Sequence, residues 1–243
     1  MDNRPIGVFD SGIGGLTVVK AIRRCLPKEN IVYFGDTARV PYGSKSANTI
    51  LRFSLDNTLF LLKKNVKVVV VACNSAASCA LDKVKAYFRL PVIGVISGGA
   101  RQAARASKNS RIGIIATRAT VASQAYQRQI KKIRPGAQVF TQACPLFVPL
   151  IEEGRTKDKV TETIARDYLS HLIAKKIDTL ILGCTHYPLL KPLIARIMGR
   201  GVRLIDSAAA VAAEVKDLLT EKDLLRPRND RPKCDYYFSD PAR

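Results

Sequence analysis

The chain has 243 residues, of which 47% are hydrophobic, enough for the buried core of one large domain or two small ones. Its 40 Lys and Arg residues against 20 Asp and Glu give a formal net charge of +20, which favours polyanionic partners or an acidic substrate. The apolar content argues against disorder, and the longest apolar runs, 68–73 and 180–182, are far shorter than the roughly 20 residues of a membrane-spanning helix.

The cysteine and histidine content bears on compartment and metal binding. Six cysteines occur without any CxxC pair, at positions 25, 73, 79, 144, 184 and 234, and only two histidines could join them. A structural zinc site therefore has few ligands, and we expect free thiols and no metal. The chain passes from MDNR into an apolar run without the basic and apolar regions of a signal peptide, so we expect a cytoplasmic protein.

The positive charge is spread along the chain. Basic residues form small groups at 23–24, 63–64, 101/105/108, 131–132, 175–176 and 226/228/231. Surfaces that bind nucleic acid typically gather such residues into one stripe with interleaved aromatic side chains. The charge is therefore interpreted mainly as a solvated surface.

Strand-like runs rich in Val and Ile recur in chain order at 6–9, 31–34, 66–71, 92–95, 111–115, 138–140, 179–182 and 202–205. Helical patterns lie between them, as at 50–62, where apolar residues fall mostly at spacings of three and four. This alternation predicts mainly parallel α/β sheets covered on both faces. The tail is predicted to form a helix at 207–219 with Ser207 as its N-cap, then a charged, proline-containing segment ending near 235–238, with no third domain.

A weak internal repeat indicates two similar units. IGVFDS at 6–11 is echoed by IGIIAT at 112–117, and VVVACNS at 69–75 is echoed by LILGCTH at 180–186. The distance in sequence between the two segments is nearly the same for both pairs. Each unit then begins with a strand that ends in a polar residue and later carries a strand that ends in cysteine.

Cys73 and Cys184 are the candidate reactive groups. Both follow an apolar strand, and ligands of open α/β sheets bind beyond the carboxyl ends of the strands. A thiol at the start of the next helix is expected to have a pKa below about 8.5, which would supply thiolate as a base. Asn74, Ser75 and Thr185 suit the carboxylates of an anionic amino acid. The other four cysteines are interpreted as small hydrophobic residues.

The glycine-rich turn DSGIGG at 10–15 follows the first strand and precedes a helix running to about Cys25. It is not GxGxxG, and Asp10 would place a negative charge where a pyrophosphate should bind, so a nucleotide site is rejected. The glycines instead allow the backbone to approach a small ligand, with Asp10 pointing into the cleft. His186 lies two residues beyond Cys184 and can share its proton, and Glu152 or Glu153 can orient the imidazole.

Four motifs together resemble the glutamate racemase family, within the cofactor-independent aspartate and glutamate racemases: DSGIGGL at 10–16, GDTARVPYG at 35–43, ACN at 72–74 and GCTHYP at 183–188. The resemblance runs from Ile6 to Asp206. It implies two similar α/β domains related by a pseudo-twofold axis, with the substrate between them. The expected limits are 1–97 plus 207–243 for the first domain and 98–206 for the second.

The resemblance also implies roles for individual residues. Cys73 would act on D-glutamate with help from Asp10, and Cys184 would act on L-glutamate with help from His186, backed by Glu152. The ammonium and carboxylates would be held by Ser11, Pro41, Tyr42, Gly43, Ser44, Asn74, Ser75, Thr117, Thr120 and Thr185. The family commonly has Thr where this chain has Ser75, which keeps the hydroxyl and loses a methyl.

The family implies no cofactor, and no lysine of this chain sits in a setting that suggests a Schiff base. It also implies a supply of D-glutamate for peptidoglycan. We expect a homodimer. Three alternatives stay open: a racemase of aspartate or another small acidic substrate; a basic protein that binds DNA or a topoisomerase, as some relatives are thought to do; and a thiol hydrolase or redox protein, which would need only one of the two cysteines.

Overall fold

A computed structural model describes residues 2–227 and 231–240. Arg228 of the last basic group and residues 241–243 of the first expected domain lie outside this range. The described residues form nine strands: β1 Ile6–Asp10, β2 Ile31–Gly35, β3 Val68–Val71, β4 Val92–Gly94, β5 Arg111–Ala116, β6 Gln138–Ala143, β7 Thr179–Gly183, β8 Arg203–Asp206 and β9 Cys234–Phe238.

Helices follow most of the strands. They are α1 Leu16–Cys25, α2 Ala47–Lys63, α3 Asn74–Cys79, α4 Leu81–Tyr87, α5 Val95–Ala106, α6 Arg118–Ser123, α7 Ala125–Ile133, α8 Phe147–Glu152, α9 Lys159–Ala174, α10 Lys191–Met198 and α11 Ser207–Glu221. Short 3₁₀ turns occur at Thr37–Arg39, Tyr42–Ser44 and Tyr187–Leu190. In the described part of the chain, no helix has the length and apolar character needed to cross a membrane.

The strands form two sheets in which every neighbouring pair is parallel. The first sheet has the order β4-β3-β1-β2-β9 and the second has the order β6-β5-β7-β8. Reading the second sheet from β8 gives β8-β7-β5-β6, which matches β4-β3-β1-β2 when the repeated motifs are aligned. The predicted α/β class, with two similar parallel units, is confirmed. Strands β1, β2, β3 and β7 are buried along their whole length, as expected for sheets covered on both faces.

The tail differs from its prediction. Residues 234–238 form a fifth strand of the first sheet, with Cys234 opposite Ile31 and Phe238 opposite Gly35. Aromatic contacts hold it in place: the ring of Phe238 lies 6.0 Å from that of Tyr33 on the same sheet. The sequence did not predict this strand, because charged residues dominate the composition of the segment, whereas its aromatic side chains provide the packing.

The start of α11 also differs. Asp206 is the N-cap, and its carboxylate accepts a hydrogen bond of 2.9 Å from the backbone N–H of Ala208. Ser207 is instead the first helical residue, and its hydroxyl turns inward to Tyr126. Helix α11 packs on α1 and on α5. The domain limits stay a prediction; the boundary between 97 and 98 falls inside α5, which also packs on α7.

A buried ion pair lies at the amino ends of the first sheet. Lys67, just before β3, is fully buried, and its ammonium lies 2.6 Å from Oε2 of Glu29. The same ammonium donates to the carbonyls of Asp2 and Leu224, at 2.9 and 2.7 Å. Glu29 accepts the backbone N–H of Arg226 at 2.8 Å. One charged group therefore connects the segments at Asp2 and at Leu224 to the base of the sheet, away from the carboxyl ends of the strands.

Candidate active site

Cys73 and Cys184 line one cavity at the carboxyl ends of the two sheets. Cys73 is the N-cap of α3, two residues after β3, and Cys184 directly follows β7. These strands hold equivalent places in the two units, so the repeat brings the two thiols to one site. The cavity measures about 20 Å³, which is room for about one water molecule. An amino acid with two carboxylates enters only if the walls move apart.

Most of the predicted binding residues line this cavity. Its lining consists of Ser11, Val40, Pro41, Tyr42, Gly43, Cys73, Asn74, Ser75, Thr117, Val148, Cys184, Thr185 and His186. Val40 and Val148 were not predicted. Val40 stands inside the GDTARVPYG motif that was quoted, whereas Val148, on α8, carries no sequence signal that separates it from the core. Asp10, Ser44, Thr120 and Glu152 lie outside the lining.

Asp10 does not point into the cavity, contrary to the prediction. Its carboxylate turns into the glycine-rich loop, where Oδ2 accepts backbone N–H bonds from Gly12 at 3.2 Å and Gly15 at 3.0 Å. Oδ1 accepts the hydroxyl of Thr185, from the second unit, at 3.4 Å. Complete burial raises the pKa of Asp10. The carboxylate therefore supports the loop and one cavity-lining threonine, because these donors satisfy its oxygens.

The thiol of Cys73 donates to the hydroxyl of Ser11 at 3.5 Å. Burial and the nearby charge of Asp10 raise its pKa to about 12. This is opposite to the predicted lowering by a helix N-terminus. Helix α3 has only six residues, and the loss of water around the sulfur outweighs its dipole. Cys73 is therefore a protonated thiol in the neutral range.

Cys184 has a different environment. Its Sγ lies 3.9 Å from Nδ1 of His186. Nε2 of the same ring lies 3.2 Å from Oε1 of Glu152, within ion-pair distance but out of hydrogen-bond alignment. No helix begins directly after Cys184, because the next turn starts at Tyr187, so the expected helix dipole is missing here.

The imidazole of His186 is cationic in the neutral range. Burial lowers the pKa of His186, but the contacts with Cys184 and Glu152 and the charge of Asp10 outweigh that effect and bring the pKa to about 10. The two thiols thus face the cavity in unlike electrostatic settings.

A cluster of hydroxyls joins the two units beside Cys73. Ser75 Oγ and Thr117 Oγ1 are 2.9 Å apart, and the hydroxyl of Thr117 donates to Oγ1 of Thr120 at 3.1 Å. Thr117 also caps α6 through the backbone N–H of Thr120, at 3.3 Å. Thr120 therefore stands behind Thr117. Ser44 is exposed, and its hydroxyl donates to the carbonyl of Pro41 at 3.4 Å.

The loop after β2 forms another wall, and its anchor was missed by the sequence analysis. The hydroxyl of Tyr42 donates to the buried carboxylate of Asp36 and accepts from Nδ2 of Asn57 at 3.0 Å. The Arg39 guanidinium lies 2.7 Å from Asp36, and the hydroxyl of Ser239, beyond β9, donates to Asp36 at 2.9 Å. Asp36 therefore ties the tail of the chain to the cavity wall.

Two glycines allow the units to meet at the cavity. A Cβ atom on Gly14 would lie 2.6 Å from both Nδ1 of His186 and Oγ1 of Thr185. A Cβ atom on Gly43 would lie 2.5 Å from Cβ of Thr117. Both glycines belong to loops of the first sheet, and all three neighbours belong to the second unit. The absence of side chains at these positions is what lets the walls close.

A model of the family described as Asp/Glu/Hydantoin racemase matches residues 6–215, most of the chain.

The chain belongs to this racemase family.

Similar proteins place this racemase, an isomerase, with the glutamate racemases. It is 50% identical over 237 residues to a glutamate racemase of Geobacter metallireducens, covering 98% of this chain and 88% of the relative. Among solved structures, the glutamate racemase RacE1 of Bacillus anthracis has a TM-score of 0.95 at 38% identity, covering 99% of this chain and 90% of the other. A Francisella tularensis glutamate racemase in complex with D-glutamate has a TM-score of 0.93 at 44% identity, covering 99% and 89%.

The remaining cysteines of this racemase lie outside the cavity. Cys144 is buried behind it, after β6, and burial raises the pKa of its thiol. Cys25, Cys79 and Cys234 are half-buried. Within residues 2–227 and 231–240, no group of three His, Cys, Asp or Glu side chains is arranged to hold a metal ion. The groups that can move a proton at the cavity are therefore the two thiols and the imidazole, with hydroxyls and an amide around them.

Proposed function

We propose that the chain interconverts L-glutamate and D-glutamate by a two-base mechanism without a cofactor, and supplies D-glutamate for peptidoglycan, the role of its family. The observation that carries the proposal is the placement of Cys73 and Cys184 at equivalent strand ends of two repeated units, both lining one cavity. Relatives at about half identity are named glutamate racemases, which favours glutamate over aspartate as the substrate.

In the direction from L to D, the thiolate of Cys184 takes the α-proton of L-glutamate, and its S–H bond forms as the C–H bond breaks. The electron pair stays on the α-carbon and its carboxylate. Cys73 then delivers the proton of its thiol to the opposite face, which leaves D-glutamate and a Cys73 thiolate. In the reverse direction Cys73 is the base and Cys184 the acid. One proton is removed and one is returned, so no oxidant or co-reactant is required.

The unlike environments of the two thiols support this assignment. Cys73, with a pKa raised to about 12, starts as the proton donor. The imidazolium of His186 lies 3.9 Å from the sulfur of Cys184, which starts as the base, and places a positive charge beside it. Glu152 holds the imidazole from its other nitrogen. Asp10 acts from behind the cavity, through the glycine-rich loop and Thr185.

The rest of the lining suits an acidic amino acid. Hydroxyls of Ser11, Ser75 and Thr117 and the amide of Asn74 can donate to carboxylates, and the closed walls exclude water around the α-carbon. The homodimer, the cytoplasmic location and the contact with DNA or a topoisomerase stay predictions from the sequence. The hydrolase alternative leaves the second thiol of the cavity without a role.

The proposal is tested by incubating the purified protein with L-glutamate in D₂O without added cofactor. We expect loss of optical activity together with entry of deuterium at the α-carbon. Because a positioned base contributes about 10²–10⁴-fold, Cys73→Ala and Cys184→Ala should each lower the rate of racemisation by about a hundredfold to ten-thousandfold. Cys25→Ala, a half-buried thiol at the end of α1, is the matched control and should racemise normally. Wild-type rates in either cavity variant would rule out the two-thiol mechanism.

A further inference from the structure

A buried tyrosine of the second unit contacts the amide of the cavity. Tyr126, on α7, is 1% exposed, and its hydroxyl lies 2.7 Å from Oδ1 of Asn74 and 3.0 Å from Oγ of Ser207. Asn74 lines the cavity directly after Cys73, and Ser207 opens α11. Three segments that are distant in sequence therefore meet at one phenol oxygen, behind the cavity wall.

The hydrogen-bond directions follow from the number of donors. A phenol has one O–H, and Oδ1 of an amide can only accept, so the hydroxyl of Tyr126 donates to Asn74. Tyr126 must then accept from the hydroxyl of Ser207. Burial raises the pKa of Tyr126 far above the neutral range, so its hydroxyl keeps this proton. Ser207, Tyr126 and Asn74 form a chain of donors that runs in one direction, toward the cavity.

The same geometry fixes the other end of the amide. Because Oδ1 faces Tyr126, Nδ2 with its two N–H donors faces the other way. In residues 2–227 and 231–240, no side chain or carbonyl accepts a hydrogen bond from this nitrogen, although Asn74 is buried and lines the cavity. A buried amide with unused donors is suited to a ligand with acceptor oxygens.

We propose that Tyr126, held by Ser207, is a positioning residue that locks the Asn74 amide with its N–H groups toward the cavity, where they bind a carboxylate of the substrate. This inference rests on the proposed racemisation of glutamate. Without the phenol hydroxyl, the side-chain amide of Asn74 can flip and present Oδ1 to the carboxylate, and the two oxygens then repel each other. Gly99 keeps the space for this arrangement, since a Cβ atom there would lie 2.5 Å from Oγ of Ser207.

The test compares Michaelis constants for L-glutamate in racemisation assays. Tyr126→Phe keeps the ring and removes the hydroxyl, and we expect its KM to rise about tenfold, the equivalent of one buried hydrogen bond, with kcat within about twofold. Asn74→Ala should raise KM by at least as much. In the Asn74→Ala background, Tyr126→Phe should have no further effect, because the hydroxyl acts only through the amide.

Thr179→Val is the matched control. It also removes a buried hydroxyl, one that donates to Asp178 at 2.9 Å at the amino end of β7, and its KM should be unchanged. Ser207→Ala is a second variant that leaves the tyrosine in place, with an expected rise in KM of about threefold. The positioning role would be overturned if both Tyr126→Phe and Ser207→Ala had the wild-type KM. It would also be overturned if Tyr126→Phe raised KM by the same factor in the wild-type and in the Asn74→Ala background. Absence of racemisation by the unaltered protein would instead reject the proposed function.

Discussion

The substitution Gly43→Ala tests whether the two units close through the contact at the cavity wall. The added Cβ would lie 2.5 Å from Cβ of Thr117 and 2.6 Å from its Cγ2, whereas ordinary contacts between such atoms begin at 3.4 Å. Both partners are held close to the backbone, so the overlap of about 1 Å cannot be relieved by rotating a long side chain. Either the Tyr42–Ser44 turn or α6 must retreat.

Overpacking of this kind costs about 1–3 kcal/mol. We expect the walls to move apart to admit L-glutamate and to close over it again through this contact, so the cost raises the KM for L-glutamate roughly 5- to 150-fold, since each 1.4 kcal/mol is a factor of ten. Initial rates of racemisation followed by circular dichroism over a range of L-glutamate concentrations measure this. Gly136→Ala is the control, because a Cβ there meets nothing within 4 Å. An unchanged KM in Gly43→Ala would refute closure through this contact.

Three further substitutions test other parts of the structure. The pKa of His186 is about 10 in the folded protein against an ordinary 6.5, so protonation of His186 stabilises the fold fully below pH 6.5, and this stabilisation is lost as the pH rises through 10. The urea midpoint of unfolding should therefore fall over this interval more in the unaltered protein than in His186→Gln. Equal falls in the two proteins would contradict the raised pKa. Ser239→Ala removes a hydrogen bond to Asp36 and should cost about 1 kcal/mol in urea unfolding and raise KM; an unchanged KM would show that the tail does not support the cavity wall. Lys67→Met leaves the charge of Glu29 buried without its partner and should lower the free energy of unfolding by about 3–5 kcal/mol, with KM unchanged. The double variant Lys67→Met/Glu29→Gln should recover most of this loss. No recovery in the double variant would argue against the ion pair.

The strand pattern and the repeat were readable from the sequence because their cause is local. The run VVVV at 68–71 is buried on both faces in the structure, and its echo at 179–183 takes the equivalent place in the second sheet. Cys73 and Cys184 could be placed at the carboxyl ends of these strands by the same logic. The tail strand β9 could not be predicted in this way, because its partner β2 lies about 200 residues earlier in the sequence.

The electrostatics of the site were beyond the reach of the sequence for a physical reason. The pKa of Cys73 rises because both units bury it and because Asp10 lies nearby, and neither effect is visible in the residues next to it. The orientation of Asp10 likewise depends on backbone N–H groups of the glycine-rich loop. Asp36 and Val148 were missed because their roles arise from tertiary contacts alone.

The position of β9 has a consequence for how the protein is made. Asp36 and Ser239 are 203 positions apart in sequence, yet their hydrogen bond helps to fix the loop that carries Tyr42. During synthesis the first sheet stays one strand short, with β2 as an open edge, until residues 234–238 have left the ribosome. A nascent chain halted before residue 234 would carry both cysteines and still lack a finished wall around them.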